Sequence, residues 1–381
     1  MGFYFDHNAA TPVSAEALAA FTAAARDVFG NPSSIHSPGQ AARQTVESAR
    51  RDVAALLGAT PKEIVFTSGG TEADNLALFG IDARHVIVSA VEHPAVLAAA
   101  RELERRGVAV SIAPVTPEGL IDLDALRTLV TPETGLISVM HANNETGAIQ
   151  PLAAIAEIAR DAGALLHSDG VQAAGRMPVD VRALGVDLYT ISGHKLGAPK
   201  GIGALYIRDG VKLRGQIFGG RHERERRAGT ENVPGIAALA AAARWTRAHR
   251  EPEAARLAAL RDRLELGVLA RIPQTRVNAA GVPRAGNTTN LRFAGLEGEA
   301  LVIALDLAGF AVSTGAACSS GAVAPSHVLL AMGLDAAQAR ASLRFSLGRG
   351  NDEAQVDALL DALETAAARL RKLSPAYVPA V

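Results

Sequence analysis

The chain has 381 residues, of which 49% are apolar and 20% are charged, and its formal net charge at pH 7 is −1. This length allows two or three domains with a large core. The nearly neutral charge excludes the strong positive field of a surface that binds nucleic acid or an anionic membrane, so small molecules and protein surfaces are the expected partners.

Compartment and membrane contact follow from two simple patterns. Cys318 is the single cysteine, so no internal disulfide can form, and we expect a reducing, cytoplasmic location. No segment approaches the ~18 consecutive apolar residues of a transmembrane helix. The first residues also lack the basic and then apolar pattern of a signal peptide. We therefore expect no membrane contact.

Short apolar segments alternate with helical patterns through the first two thirds of the chain. An extended arm covers residues 1–13, and an amphipathic helix follows at 38–57. The predicted strands are 64–67, 85–89, 109–114, 136–141, 164–167 and 187–191, and the predicted helices between them are 71–78, 94–106, 123–130 and 152–161. This alternation predicts an α/β fold with a mostly parallel sheet covered on both faces. Ligands of such sheets bind outside the carboxyl ends of the strands.

The composition changes from about Glu251 onward. A charged helix at 254–266 precedes a strand region rich in glycine and asparagine, and another helix is predicted at 297–307. A loop of small residues around Cys318 and a final helix at 353–372 complete the chain. We predict a large domain of residues 14–250 and a smaller α+β domain formed by 1–13 and 251–381.

Two candidate functional residues directly follow apolar strand patterns. Lys195 ends the stretch Ser192-Gly-His194-Lys195, just before a turn rich in glycine and proline. A partly desolvated lysine there loses its charge and acts as an amine nucleophile, although a solvated surface lysine is the alternative. Asp169 needs a proton donor, which is the protonated ring nitrogen of a cofactor, an arginine or a backbone N–H.

Other strand ends carry polar residues with two interpretations each. Glycines and the start of a helix near Thr71 suit a phosphate, but Thr71 is equally suited to capping that helix. His93 is either a ligand-binding or a structural histidine. Asn143 and Asn144 either bind a polar ligand or form an Asx turn.

The C-terminal third adds a thiol and a cation. Cys318 is surrounded by small, turn-prone residues, which favours a thiol that travels to a substrate over a buried inert one. Arg349 follows a short strand and suits bidentate binding of a carboxylate. His222-Glu223 lacks the second histidine of a zinc-protease helix, and residues 170–175 lack the lysine of a phosphate-binding P-loop. No metal site is predicted.

A lysine, a carboxylate, a phosphate site and a carboxylate-binding arginine together describe a site for pyridoxal phosphate. At this point the sequence resembles the cysteine desulfurases of the NifS/IscS type (group I), within the class V aminotransferase family. The resemblance covers nearly the whole chain. It rests on seven motifs in order, at residues 4–12, 30–36, 67–72, 143–147, 192–195, 227–232 and 344–349.

The resemblance implies a homodimeric enzyme of pyridoxal-phosphate fold type I, with a seven-stranded type of sheet. Lys195 would bind the cofactor covalently and move the substrate α-proton, and Arg349 would bind the substrate carboxylate. Cys318 would take sulfur from L-cysteine as a persulfide, leaving L-alanine. The resemblance also implies contacts to the cofactor ring: Asp169 to its nitrogen, Gln172 to its hydroxyl, His93 stacked on it and Asn144 beside it. The implied contacts to the cofactor phosphate are Gly70, Thr71, Ser192, His194 and the partner subunit's Thr230.

The sulfur would pass to an acceptor protein, which is a scaffold for iron–sulfur cluster assembly or a tRNA-thiolation enzyme. An aminotransferase or a selenocysteine lyase of the same fold is the close alternative. A catalytically silent scaffold protein that keeps the fold is the alternative from another class. Cys318 favours the desulfurase, since transamination requires no thiol.

Overall fold

The computed structural model describes residues 2–315, 324–373 and 377. Within these residues the strands are β1 Phe3–Tyr4, β2 Ile64–Thr67, β3 His85–Ser89, β4 Ala109–Ala113, β5 Thr134–Ser138, β6 Leu165–Asp169, β7 Leu188–Ser192, β8 Gly203–Ile207, β9 Thr275–Val277, β10 Thr288–Phe293, β11 Phe310–Ala311 and β12 Ser342–Ser346. The α-helices are α1 Ala15–Asp27, α2 Ser37–Leu57, α3 Gly70–Gly80, α4 Pro94–Arg105, α5 Leu123–Leu129, α6 Leu152–Asp161, α7 Val181–Leu184, α8 Gly193–Leu196, α9 Val233–Arg271, α10 Gly298–Leu307, α11 His327–Ala331, α12 Ala336–Arg340 and α13 Glu353–Leu373. None of these helices is long and apolar enough to cross a membrane.

The main sheet has seven strands in the order β2-β8-β7-β6-β5-β3-β4. Strands β3 to β7 pair in parallel, whereas β8 runs antiparallel to both of its neighbours. The predicted mostly parallel sheet is therefore confirmed. The ends of its parallel strands converge on one edge, where the loops to the following helices begin.

Helices cover both faces of this sheet, as its apolar strands require. Buried side chains of α2, α6 and the first part of α9 form the core on one face. Buried side chains of α3 and α4, including Leu76 and Val96, form the core on the other. The prediction that both faces of the sheet are covered is therefore confirmed.

A second core lies away from the main sheet. It surrounds the three-stranded sheet β12-β10-β9 and the pair β1-β11, and it includes Phe5, Leu291, Phe345 and Leu360. The N-terminal arm therefore packs with the C-terminal part of the chain. We retain as a proposal the division into a large domain and a smaller one that this arm completes.

The helix predicted at 254–266 is part of the 39-residue helix α9, which includes Pro252. Proline lacks a backbone N–H, which makes it a predicted helix boundary, but the helix continues through the exposed Pro252. Residues 233–243 of α9 pack on the main sheet, and Leu257, Leu260 and Leu264 pack in the second core. The proposed boundary between residues 250 and 251 thus falls inside one continuous helix.

Candidate active site

A cavity of about 710 Å³ opens at the carboxyl ends of the parallel strands, between the two cores. Its size is that of a site for a small molecule or cofactor. Nine of the predicted site residues line it together: Gly70, Thr71, His93, Asn144, Asp169, Gln172, Ser192, His194 and Lys195. The N-terminal arm (Asn8, Ala9) and the C-terminal part (Ser313, Gly315, Ala324 to His327, Arg344) complete the wall.

Lys195 is placed by the short helix α8, which follows β7 directly. The chain turns sharply at Gly193, where a Cβ would lie 2.8 Å from Cγ2 of Ile202. The Lys195 amine donates hydrogen bonds to the backbone carbonyls of Asn8 and Ala9, the latter at 2.8 Å. Burial and the positive charges of nearby arginines lower its pKa to about 7. The predicted desolvated lysine is therefore found, and a large fraction of it is neutral near pH 7.

Asp169 ends β6 and points its carboxylate into the site. One oxygen accepts the Val171 backbone N–H at 2.9 Å, and the described residues give the second oxygen no hydrogen bond. Burial raises the pKa of Asp169, while the charges of His93 and Lys195 act in the opposite direction. Of the alternatives predicted for Asp169, the backbone N–H is present, and one oxygen remains for a protonated ring nitrogen.

Two further carboxyl groups, Asp74 and Glu92, lie buried close to Asp169. Burial raises the pKa of each well above its usual value, and the neighbouring Asp169 adds to both shifts. One oxygen of each group, Oδ1 of Asp74 and Oε2 of Glu92, is buried without a hydrogen-bond partner among the described residues. Burial and repulsion among these three carboxyl groups therefore both favour the protonated forms of Asp74 and Glu92.

The predicted phosphate site lies at the start of α3. This helix has Gly69 at its N-cap position and no side-chain cap, so Thr71 does not cap it. The first backbone N–H groups are therefore available to an anion. Ser192 and His194 face the same cavity, and their side chains share a hydrogen bond of 2.9 Å. Burial lowers the pKa of His194 to about 4.

The structure distinguishes between the two interpretations of His93, Asn143 and Asn144. His93 accepts the Ala95 backbone N–H through Nδ1 at 3.1 Å and also lines the cavity, so it has a structural contact and is exposed to a ligand. The side-chain oxygen of Asn143 accepts the backbone N–H groups of Glu145 and Thr146, which is an Asx turn. Asn144 lines the cavity instead.

The expected carboxylate-binding Arg349 does not reach this cavity. Its guanidinium lies over the Trp245 ring and 3.5 Å from a carboxylate oxygen of Glu16. Arg344, five residues earlier on β12, lines the cavity, and it donates to Asp6 at 2.7 Å and to the Asn144 carbonyl at 3.0 Å. Its Nε is buried without a partner among the described residues. Of the two arginines in the motif at 344–349, Arg344 is therefore the one that lines the cavity.

Two other predicted residues are not part of the described cavity. Thr230 lines a separate cavity of about 130 Å³ with Thr67 and Asn232, so within one subunit it does not join the phosphate site. Its predicted role belongs to a partner subunit and stays a prediction. Cys318 lies outside the described residues.

The site also includes charged residues to which the sequence analysis assigns no role. Asp74 lines the cavity, whereas Glu92 is buried close to Asp169 without lining it. Arg344 was quoted within the motif at 344–349 without a role. The signal available for Arg344 was its place inside an apolar strand pattern, where an arginine needs a partner.

The residues present fit pyridoxal phosphate. An uncapped helix start and two side-chain donors suit a phosphate, Asp169 has a free oxygen for a protonated ring nitrogen, and Lys195 is an amine of lowered pKa. Lys195, Asp169 and Arg344 belong to three different segments, and the fold brings them to one cavity.

Comparison with known proteins agrees with this site. Residues 3–359 match the family model described as aminotransferase class-V. A cysteine desulfurase of Trichormus azollae is 46% identical over 377 residues, which cover 98% of this chain and 94% of that protein. The structure of a NifS-like protein superposes with a TM-score of 0.90 at 36% identity, covering 97% of this chain and all of that one. The structure of SspA in complex with cysteine gives a TM-score of 0.80 at 33% identity, covering 91% of this chain and 98% of that one. The chain therefore belongs to the class V aminotransferase family and, within it, to the cysteine desulfurases.

Proposed function

We propose that this protein is a pyridoxal-phosphate-dependent cysteine desulfurase, which converts L-cysteine to L-alanine and transfers the sulfur to Cys318. The observation that supports it best is the meeting of Lys195, Asp169 and Arg344 in one cavity. These three groups are an amine, a carboxylate and a guanidinium. They match the three polar parts of a cofactor-bound amino acid, namely its imine, its ring nitrogen and its carboxylate.

The cofactor is held by groups that the chain places before it arrives. The start of α3 with Thr71, Ser192 and His194 would bind the phosphate, and Asp169 would hold a proton at the ring nitrogen. Bound there, pyridoxal phosphate supplies an electron sink for the bond that breaks at the amino-acid Cα. His93, at the N-cap of α4, would lie against the ring.

Lys195 and Arg344 act on the substrate. Arg344, which lines the cavity, would orient the cysteine by binding its carboxylate. Lys195, neutral in a large fraction near pH 7, takes the proton from Cα and returns a proton during the formation of alanine.

Sulfur transfer requires a second thiol. The Cys318 thiolate forms a bond to the sulfur of the substrate, the bond between that sulfur and Cβ breaks, and Cβ keeps the electron pair and receives a proton. The products are alanine and a persulfide on Cys318. A protein thiol that accepts this sulfur completes the transfer, and cluster assembly and tRNA thiolation are the proposed destinations. In a homodimer, the partner subunit's Thr230 would complete each phosphate site.

The test is alanine release from L-cysteine with dithiothreitol and added pyridoxal phosphate, comparing the native protein with Cys318→Ser. Alanine from the native protein and almost none from the variant is expected. Cys318→Ser should bind the cofactor as the native protein does, which separates loss of sulfur transfer from loss of the site. Equal alanine from both would refute the role of Cys318 and favour direct transfer of the substrate sulfur to the added dithiothreitol without a protein thiol. No alanine from either would favour an aminotransferase or a silent scaffold.

A further inference from the structure

We propose that Arg176, in the turn after β6, is a positioning residue that fixes the amide of Gln172 and places a positive charge in the hydrogen-bond network that also contains the Lys195 amine. This inference rests on the proposed function, because it concerns the residue that would bind pyridoxal phosphate. Arg176 is not among the residues that line the cavity. It acts through its contacts with residues that do.

A continuous chain of hydrogen bonds links Arg176 to Lys195. Nη1 of Arg176 donates to Oε1 of Gln172, and Nη2 donates to the His7 carbonyl at 3.1 Å. Nε2 of Gln172 then donates to the Asn8 carbonyl at 3.0 Å. The Lys195 amine donates to the same carbonyl. The arm residues His7 and Asn8 thus connect both side chains to one stretch of backbone.

The contact with Arg176 determines which end of the Gln172 amide faces a ligand. A guanidinium has only donors, so it selects the amide oxygen as its partner. The Gln172 nitrogen is thereby directed to the Asn8 carbonyl, and its second hydrogen has no acceptor among the described residues. Gln172 lines the cavity, so this hydrogen is available to an oxygen of the ligand, such as the ring hydroxyl of the cofactor.

Arg176 and Arg344 differ in whether a nearby carboxylate neutralises their positive charge. Arg344 lies 2.7 Å from the Asp6 carboxylate, which neutralises part of its field. Across residues 2–315 and 324–373, Arg176 has no carboxylate within ion-pair distance, and its partners are carbonyl and amide oxygens. Burial lowers the pKa of Arg176 to about 9, so it keeps its charge at neutral pH.

This unpaired charge acts on Lys195 together with burial. The pKa of Lys195 is lowered by burial first, then by Arg176 and then by Arg344, while Asp169 and Asp6 act in the opposite direction. The nearby imidazoles add little positive charge near neutral pH, because burial lowers the pKa of both His93 and His194. Among the charged groups of the described residues, Arg176 therefore lowers the pKa of Lys195 the most.

The test measures the rate at which the apoprotein takes up pyridoxal phosphate, followed by the absorbance of the bound cofactor, across the pH range on either side of 7. The rate follows the neutral fraction of Lys195, so the native midpoint is expected near 7. Arg176→Gln and Arg176→Met should both raise this midpoint. Below both midpoints, uptake slows about tenfold for each pH unit of the rise. Two neutral variants are used so that a folding failure of one leaves the other.

Two more variants separate charge from orientation. Arg176→Lys keeps the charge but not the planar pair of donors, so its midpoint should stay near the native value while pyridoxal phosphate binds about fivefold more weakly, the equivalent of one hydrogen bond. Arg247→Gln removes an equal charge from the exposed face of α9 and should leave both the midpoint and the affinity unchanged.

The proposal is overturned if the midpoint stays in place in the folded neutral variants, or if Arg247→Gln moves it as far as they do. It is also overturned if Arg176→Lys shifts the midpoint as much as the neutral substitutions. A native protein that takes up no pyridoxal phosphate would overturn the proposed function as well. Normal uptake with an unmoved midpoint would refute the role of Arg176 alone.

Discussion

Arg344 and Arg349 belong to one sequence motif, but of the two only Arg344 lines the cavity. Arg344 lines the cavity with a side chain that is 5% exposed, and its Nε has no partner in the described part of the chain. Arg349 stacks on Trp245 outside the cavity. We therefore predict that Arg344→Gln weakens the use of L-cysteine, whereas Arg349→Gln does not.

The size of the effect follows from the contact that is lost. A hydrogen bond to a charged group contributes about 1.5–3 kcal/mol, which corresponds to a loss of about 12-fold to 140-fold in kcat/KM. Arg349 lies near Glu16 at a distance of 3.5 Å in a half-exposed position, where an ion pair contributes no more than about 1 kcal/mol to stability. Arg349→Gln should therefore change the melting temperature slightly and kcat/KM by less than about fivefold.

The assay is the rate of alanine formation over a range of L-cysteine concentrations, with circular dichroism to show that each variant is folded. Binding of cysteamine, which lacks the carboxylate, provides the internal control. Cysteamine should lose less affinity than L-cysteine in Arg344→Gln, because only L-cysteine has the carboxylate that the arginine would contact. The reasoning is refuted if Arg349→Gln loses more activity than Arg344→Gln, or if cysteamine binding falls as far as that of L-cysteine.

Two further predictions concern stability. Glu223→Gln should destabilise the protein by about 3–5 kcal/mol in a denaturant titration, because it leaves Arg50 without the partner it holds at 2.7 Å in a buried ion pair. The exposed pair of Arg263 and Asp357 is the matched control. A loss of more than about 1 kcal/mol in the free energy of unfolding of Asp357→Asn would contradict this account. Lys195 should make the apoprotein more stable as pH rises from 7 towards 10.5, because the unfolded chain keeps a proton there that the folded chain has lost. Lys195→Met should flatten that rise, and an unchanged pH profile of unfolding would show that the pKa of Lys195 is not lowered.

Much of the fold and the centre of the site could be predicted from the sequence. Lys195 and Asp169 directly follow apolar strands, and the carboxyl ends of parallel strands meet at one edge of a sheet, so their meeting was expected. Thr71 had two equal interpretations. The structure separates them, because the helix begins at Gly70 after an uncapped Gly69 and leaves its first N–H groups free.

The remaining site residues depend on contacts between distant segments. Nothing in the motif at 344–349 shows which arginine faces the cavity, since this depends on how β12 packs against the N-terminal arm at Asp6. Asp74 and Glu92 were missed because acidic residues are rarely buried without partners, so a sequence pattern places them at the surface. The role of Arg176 likewise depends on carbonyls of the arm, more than 160 positions away in the chain.

The account depends most on Lys195 as the amine that binds the cofactor. The direct measurement is borohydride reduction of the protein with pyridoxal phosphate, followed by mass spectrometry of its peptides. The chain has four other lysines, Lys62, Lys200, Lys212 and Lys372, which serve as internal controls. We predict that the reduced cofactor is found on Lys195 alone. Modification of another lysine, or of none, would contradict the account.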